Sequence, residues 1–129
     1  MVTQFRNTPV LSGEAIARVG LGLKITTSKA VKVSGLTDVL VGVSASTATA
    51  TDENLAVVLS GPCEVYMSET IAEGEAFAFN ASGEGIKFVA ADYTDGNTVY
   101  VGGTALSGRT GAGPILANVN IAAITIRKP

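Results

Sequence analysis

The chain has 129 residues and a mass of 13.0 kDa; 47% of the residues are hydrophobic, only 5% are aromatic, and the net charge is −2. That length makes one domain, able to bury about two thirds of its unfolded surface. There is no His and no Trp, which removes the commonest general base, the commonest neutral metal ligand and the Ser-His and Cys-His nucleophile pairs. The single Cys63 excludes an intrachain disulfide and a thiolate zinc cage, and reads as a small buried hydrophobe.

In chain order, residues 1–9 are polar apart from Phe5 and end on Pro9, which cannot donate to a ladder and restricts the residue before it. This stretch is expected to be an extended arm outside the fold. It lacks the apolar run of a signal peptide, and no segment reaches the roughly 18 apolar residues of a membrane span, so the protein is expected to be made and kept in the cytoplasm or in something assembled there. Short apolar blocks follow at 15–19, 21–25, 30–33, 39–43, 55–59, 63–67, 76–79, 86–90, 98–101, 115–119 and 122–126. Four to six residues bounded by turn formers read as strands, and no window sustains helical spacing. Asp95-Gly96 predicts a hairpin between 88–89 and 99–101, because turns that match strand twist need positive φ. Ser34-Gly35, Ser60-Gly61-Pro62 and Ser82-Gly83 mark further turns.

The chain also echoes itself. Val10-Leu11-Ser12-Gly13-Glu14-Ala15 returns as Ile71-Ala72-Glu73-Gly74-Glu75-Ala76, 39–43 returns at 99–103, and 54–61 sits opposite 115–122. An all-β domain is therefore expected over 10–129, a small barrel or β-tulip/sandwich of short strands built from two similar halves, about 10–70 and 71–129.

Chemistry-bearing motifs are weak. The run from Gly108 to Pro114 lacks the Gly-Lys-Ser/Thr ending and following helix of a phosphate loop, and reads as a flexible loop matching the 46–52 stretch of the first half. The run from Asp92 to Asn97 lacks the spaced acids of a calcium loop. Glu73 and Glu75 could be imagined as an acid-base pair, but no second functional group stands beside them, and a turn role is preferred. Asn80-Ala81-Ser82 matches a glycosylation acceptor that means nothing without a secretory signal. No catalytic, cofactor-binding or metal-ligating residue is assigned, and the chain is not expected to be an enzyme. Basic residues gather in 1–32 (five against one acid), acids in 33–95 (ten against one base), and three bases close the tail. Scattered singly, these bases do not make a nucleic-acid surface; complementary patches for self-association or a partner are the sharper reading.

The runs Ala30-Val31-Lys32-Val33, Val39-Leu40-Val41-Gly42-Val43, Leu55-Ala56-Val57-Val58-Leu59-Ser60-Gly61, Ile71-Ala72-Glu73-Gly74-Glu75-Ala76-Phe77-Ala78 and Tyr100-Val101-Gly102-Gly103-Thr104-Ala105-Leu106 together resemble the capsid cement (head decoration) proteins of tailed bacteriophages. The similarity runs from about Pro9 to Ile126. It implies a β-tulip or barrel-like fold, homotrimers on the outer surface of an icosahedral head, and clamping of neighbouring major capsid proteins, with no cofactor, nucleic acid or membrane involved. It also implies an N-terminal segment reaching along the capsid, with Val2, Gln4, Phe5, Arg6 and Pro9 as the contact residues, Phe5 supplying the apolar contact and Arg6 the charged hydrogen bonds. The competing expectation is a receptor- or carbohydrate-binding β-module of a virion. Against it, Tyr66, Tyr93 and Tyr100 are dispersed rather than gathered into an aromatic platform.

Overall fold

The structure, a computed structural model, describes residues 7–35 and 37–127. Strands β1 (Asn7–Leu11), β2 (Gly22–Thr26), β3 (Lys29–Lys32), β4 (Gly42–Ser44) and β5 (Asn54–Val58) form one sheet in the order β1-β5-β4-β2-β3. Strands β6 (Gly61–Met67), β7 (Ala76–Phe79), β8 (Gly85–Lys87), β9 (Thr98–Ala105) and β10 (Gly113–Thr125) form a closed barrel in the order β10-β6-β8-β7-β9. A single 3₁₀ turn at Ala90–Asp92 is the one helical element among the described residues. The fold is all-β, as the alternating pattern and turn residues require.

The two sheets have one topology. Numbering each from its own first strand, both run 1-5-4-2-3, and in both the third strand returns to the first through a single parallel bridge: Ser12 to Ala30 in the first module, Met67 to Gly85 in the second. Individual hydrogen bonds recur. The reciprocal backbone pair of Ile16 and Ala48 reappears between Ile71 and Arg109, the bond from Gly20 N–H to Ser44 O reappears from Gly74 to Ala105, and that from Val33 to Gly22 reappears from Phe88 to Ala76. Counterparts lie 54 or 55 positions apart through the first three strands (74 − 20 = 54, 71 − 16 = 55). Through the last two they lie 60 or 61 apart (116 − 56 = 60, 109 − 48 = 61). The step arises between the third and fourth strands, chiefly because β9 begins at Thr98, five residues before Gly103, the counterpart of Gly42 at the start of β4; the connections 33–41 and 88–97 differ by one residue.

This register corrects the echo read from the sequence. Gly74 answers Gly20 rather than Gly13, so the likeness of 10–15 to 71–76 is not an equivalence, whereas the two later echoes fall within one residue of the structural register. The boundary between modules lies between Val58 and Gly61, not near residue 70.

Four other expectations change. Residues 7–9, expected in the arm, have their backbone in β1, with Asn7, Thr8 and Pro9 opposite Val58, Val57 and Ala56. Proline is tolerated because β1 is an edge strand, where a missing donor breaks no central ladder. Residues 15–19 form no strand; Ile16 makes an isolated bridge to Ala48 and is fully buried. Asp95-Gly96 turns the chain with Gly96 at φ 90°, yet it closes no hairpin, since β8 pairs with β7 and β6 and the Gly96 N–H goes to Ile126 O. Segments 115–119 and 122–126 merge into β10, whose ladder with β9 shifts register between Val119 and Ala122, a bulge that bends the strand.

One core cluster fills the first module: Ile16, Leu21, Leu23, Ala30, Ala48, Leu55 and Val57. The other fills the barrel with Val65, Met67, Ile71, Phe77, Phe79, Ile115 and Val119 among others, and is joined by Val33, Leu40, Val43 and Val58 from the first module. Each fully buried side chain of this kind contributes about 1.5–3 kcal/mol, so the shared cluster binds the modules into one body. At the joint, Tyr66 N–H donates to Gly20 O at 3.0 Å and Gly22 N–H to Gly83 O at 2.8 Å. A Cβ on Gly22 would lie 2.5 Å from the Phe79 ring, so only glycine admits the ring there.

Candidate interaction surface

The motifs with possible chemistry are absorbed by the fold. Arg109 Nε donates to Ala112 O at 2.9 Å, Gly111 N–H donates to Thr70 Oγ1 at 2.9 Å, and Arg109 bridges Ile71 through its backbone, so the 108–114 loop is pinned rather than free. The Asn80 Oδ1 accepts the N–H groups of Ser82 and Glu84 at 2.9 and 3.1 Å, closing the β7–β8 turn. Glu75 accepts the Ala72 N–H at 2.8 Å and pairs with Lys87 at 2.9 Å. These partners hold its carboxyl below the ordinary range, Lys87 first and the Ala72 N–H second. Glu75 is thereby a turn and strand-end residue, and Glu73 stands exposed beside it.

Cys63 is half-buried on β6, and burial, with the neighbouring Glu64 charge, pushes its thiol up to about 11, which leaves it protonated and unreactive at neutral pH. Asp38 takes the Ser34 N–H at 2.7 Å, Lys24 Nζ at 3.0 Å and the Ser34 hydroxyl at 2.8 Å. Those bonds hold its carboxyl down to about 2, the Ser34 N–H contributing most. It is a loop clasp on the first module, distant in role from any reacting group. Among the described residues no three His, Cys, Asp or Glu side chains gather as metal ligands.

Concavities are slight. A cavity of about 10 Å³ between the modules is lined by Val33, Gly35, Asp38, Leu40, Phe79 and Tyr100, room for one water. A shallow depression of about 280 Å³ lies over Glu64, Ser107, Pro114, Ile115 and Leu116.

What the surface offers instead is apolar side chains without cover. Leu106 and Leu116 are 44% and 51% exposed and adjacent, since Leu106 N–H donates to Leu116 O at 2.9 Å. With exposed Pro114 and, across β6, exposed Pro62 and Glu64, they make an outward face carrying one charge. Strand alternation produces it: Ile115, Ala117 and Val119 point into the barrel, so Pro114 and Leu116 point out. A second pair, Leu11 and Ile25, stands exposed at the end of the first module. Sequence reasoning missed both pairs, because alternation shows which side chains share a face and not which face is covered. Of the residues the resemblance marked as contacts, Val2, Gln4, Phe5 and Arg6 lie outside the described residues, and Pro9 is placed in β1 opposite Ala56.

No family model matches the chain, and no curated protein is significantly similar to it.

Proposed function

We propose that the protein is a structural component of a virion that binds the outer surface of a phage capsid and cements neighbouring major capsid proteins, with no catalytic activity of its own. The observation that carries this reading is the largely apolar face of Leu106, Pro114 and Leu116, with Glu64 its one charge, on a two-module β-body whose polar clusters are engaged in turns and strand ends. An exposed apolar patch on a small rigid domain marks a protein-binding surface, and a cement needs only such a surface, repeated over many copies so that weak contacts add. The resemblance to capsid decoration proteins supplies the partner and the assembly as homotrimers on the head.

Residues 2–6 remain the second contact in this proposal. Because Asn7 and Thr8 pair with β5, the deletion that tests them removes residues 1–6 and leaves β1 whole.

Co-sedimentation of the purified protein with expanded, undecorated capsids decides the matter. Saturation at a fixed copy number, with particles gaining heat resistance, is the expected result, and Leu106→Glu with Leu116→Glu should lower occupancy at least about tenfold. Failure of the unaltered protein to bind would overturn the proposal.

A further inference from the structure

The matched registers of the two modules allow the joint between them to be projected onto their free ends. On the second module's side the joint is made by Tyr66, whose N–H bonds Gly20 and whose ring lies under the Arg18 guanidinium at 4.2 Å, and by Phe79, whose ring packs on Gly22. The counterpart of Tyr66 in the first module is Leu11, since Tyr66 pairs with Pro114 as Leu11 pairs with Asn54. That of Phe79 is Ile25, since Phe79 pairs with Gly85 as Ile25 pairs with Ala30. Phe79 is 2% exposed, whereas Leu11 and Ile25 are 42% and 45% exposed. Two of the largest uncovered apolar side chains thus occupy the positions that, one module later, are covered by a preceding module.

The donor side of the joint has an open counterpart too. Gly20, at φ 92°, sits so close to β6 that a Cβ would lie 2.6 Å from Tyr66 N; Gly74, at φ 87°, faces open space. Ala76 answers Gly22 and Phe88 answers Val33 through the same hydrogen bond, and both are only half-buried. In the stretch that holds Arg18, between Ile16 and Gly20, the second module has Ala72 and an exposed Glu73. Next to the acceptor side, Lys29 adjoins Ala30, the cross-strand partner of Ile25. The Lys29 ammonium already pairs with Asp52 of the same chain, so the match between the two free ends rests on the apolar positions.

We infer that copies of this chain associate head to tail, the Glu73–Ala76 turn of one copy docking on Leu11 and Ile25 of the next in the manner that Arg18–Gly22 docks on Tyr66 and Phe79 within the chain. The contact is heterologous, so it forms a ring if the rotation between copies closes and an open chain if it does not. It is weaker than the internal joint, because Thr104 and Asn118 stand where Val43 and Val58 enter the shared core. The inference does not rest on capsid binding. It concerns the free protein in solution, and a chain that is monomeric there yet saturates capsids would leave the capsid-binding reading standing while removing this one.

Sedimentation velocity of the full chain over a wide concentration range tests it, with two variants checked for folding by circular dichroism and melting. Leu11→Glu with Ile25→Glu destroys the acceptor end, and Ala76→Arg destroys the donor end; Glu73→Lys, at an exposed position, replaces the latter if it melts early. The unaltered chain should gain mass with concentration, each variant should associate at least about tenfold more weakly, and the two variants mixed should form a one-to-one heterodimer through their remaining intact ends. A chain that stays monomeric at every concentration, variants that assemble as the unaltered chain does, or a mixture that fails to pair would each overturn the inference.

Discussion

The two modules share a backbone down to single hydrogen bonds and differ in what fills it. Every aromatic residue among those described, from Tyr66 to Tyr100, belongs to the second module, and the first supplies only aliphatic side chains to its own core, with Tyr66 of the second packed against it. Leu23 stands where the barrel has Phe77, and Leu55 where it has Ile115. Five strands in the order 1-5-4-2-3 therefore accept quite different interiors, provided the faces alternate and the closing bridge is kept. The first module, smaller inside, contributes Val33, Leu40, Val43 and Val58 to its neighbour's core, so its stability is expected to depend on the joint more than the barrel's does.

Equivalent substitutions on either side measure that dependence. Phe79→Ala empties the joint and should cost about 3–5 kcal/mol in urea unfolding. Ile25→Ala, at the matching but uncovered position, should cost less than about 1 kcal/mol in the monomer. Equal losses would mean that the two ends are covered alike and would undo the contrast. A similar pair is Gly20→Ala and Gly74→Ala. Both force a side chain into left-handed backbone, at about 1–2 kcal/mol; only the first also drives a Cβ against β6, so its loss should be distinctly larger, and calorimetric melting separates them.

A third test reaches a feature that the first module has alone. The Asp38 carboxylate is held down to about 2 by the Ser34 N–H, Lys24 and the Ser34 hydroxyl. A depressed carboxyl stabilises the fold above its unfolded value and loses that contribution as pH falls through the folded one. Stability should therefore drop by about 1–2 kcal/mol, after allowance for solvent screening, between roughly pH 4 and pH 2. Asp38→Asn should remove that step, and chemical denaturation at a series of pH values reads it. Lys24, the ion-pair partner, has Ala78 as its counterpart, so the barrel lacks this clasp; its own depressed carboxyl is Glu75, held by Lys87 and the Ala72 N–H.

Much of this was legible in the chain before folding. Period-two patterning in Ala76–Phe79 and around Ile86 placed β7 and β8, because a strand with one buried face must alternate. The repeat was visible, but not its register: the extra residues at the start of β9, with one more in the connection before it, displace the early strands by six or seven positions relative to the late ones (61 − 55 = 6, 61 − 54 = 7), and a single offset can match only one set. β1 was hidden by Pro9, whose tolerance depends on being at an edge, a fact of topology rather than of local propensity. The free ends at Leu11, Ile25 and Gly74 were invisible for a related reason. Nothing in a residue's own neighbourhood in sequence says whether another module will cover it.

The mildest comparison concerns a bond the modules hold in common. Ser46 Oγ accepts the Ala56 N–H at 2.9 Å, and Ser107 Oγ accepts the Leu116 N–H at 3.1 Å, each fastening the loop after the fourth strand to the fifth. Replacing either serine by alanine removes the acceptor and leaves the strand's N–H to find another. Around Ser46 the bond is partly buried, so water reaches the orphaned N–H poorly and the loss should be about 1–2 kcal/mol. Around Ser107 it is exposed, water substitutes, and about 0.5 kcal/mol is expected. Were Ser107→Ala to cost as much as Ser46→Ala in the free protein, the face of Leu106 and Leu116 beside it would have to be shielded from solvent already, and the patch proposed to meet the capsid would be covered before any capsid arrives.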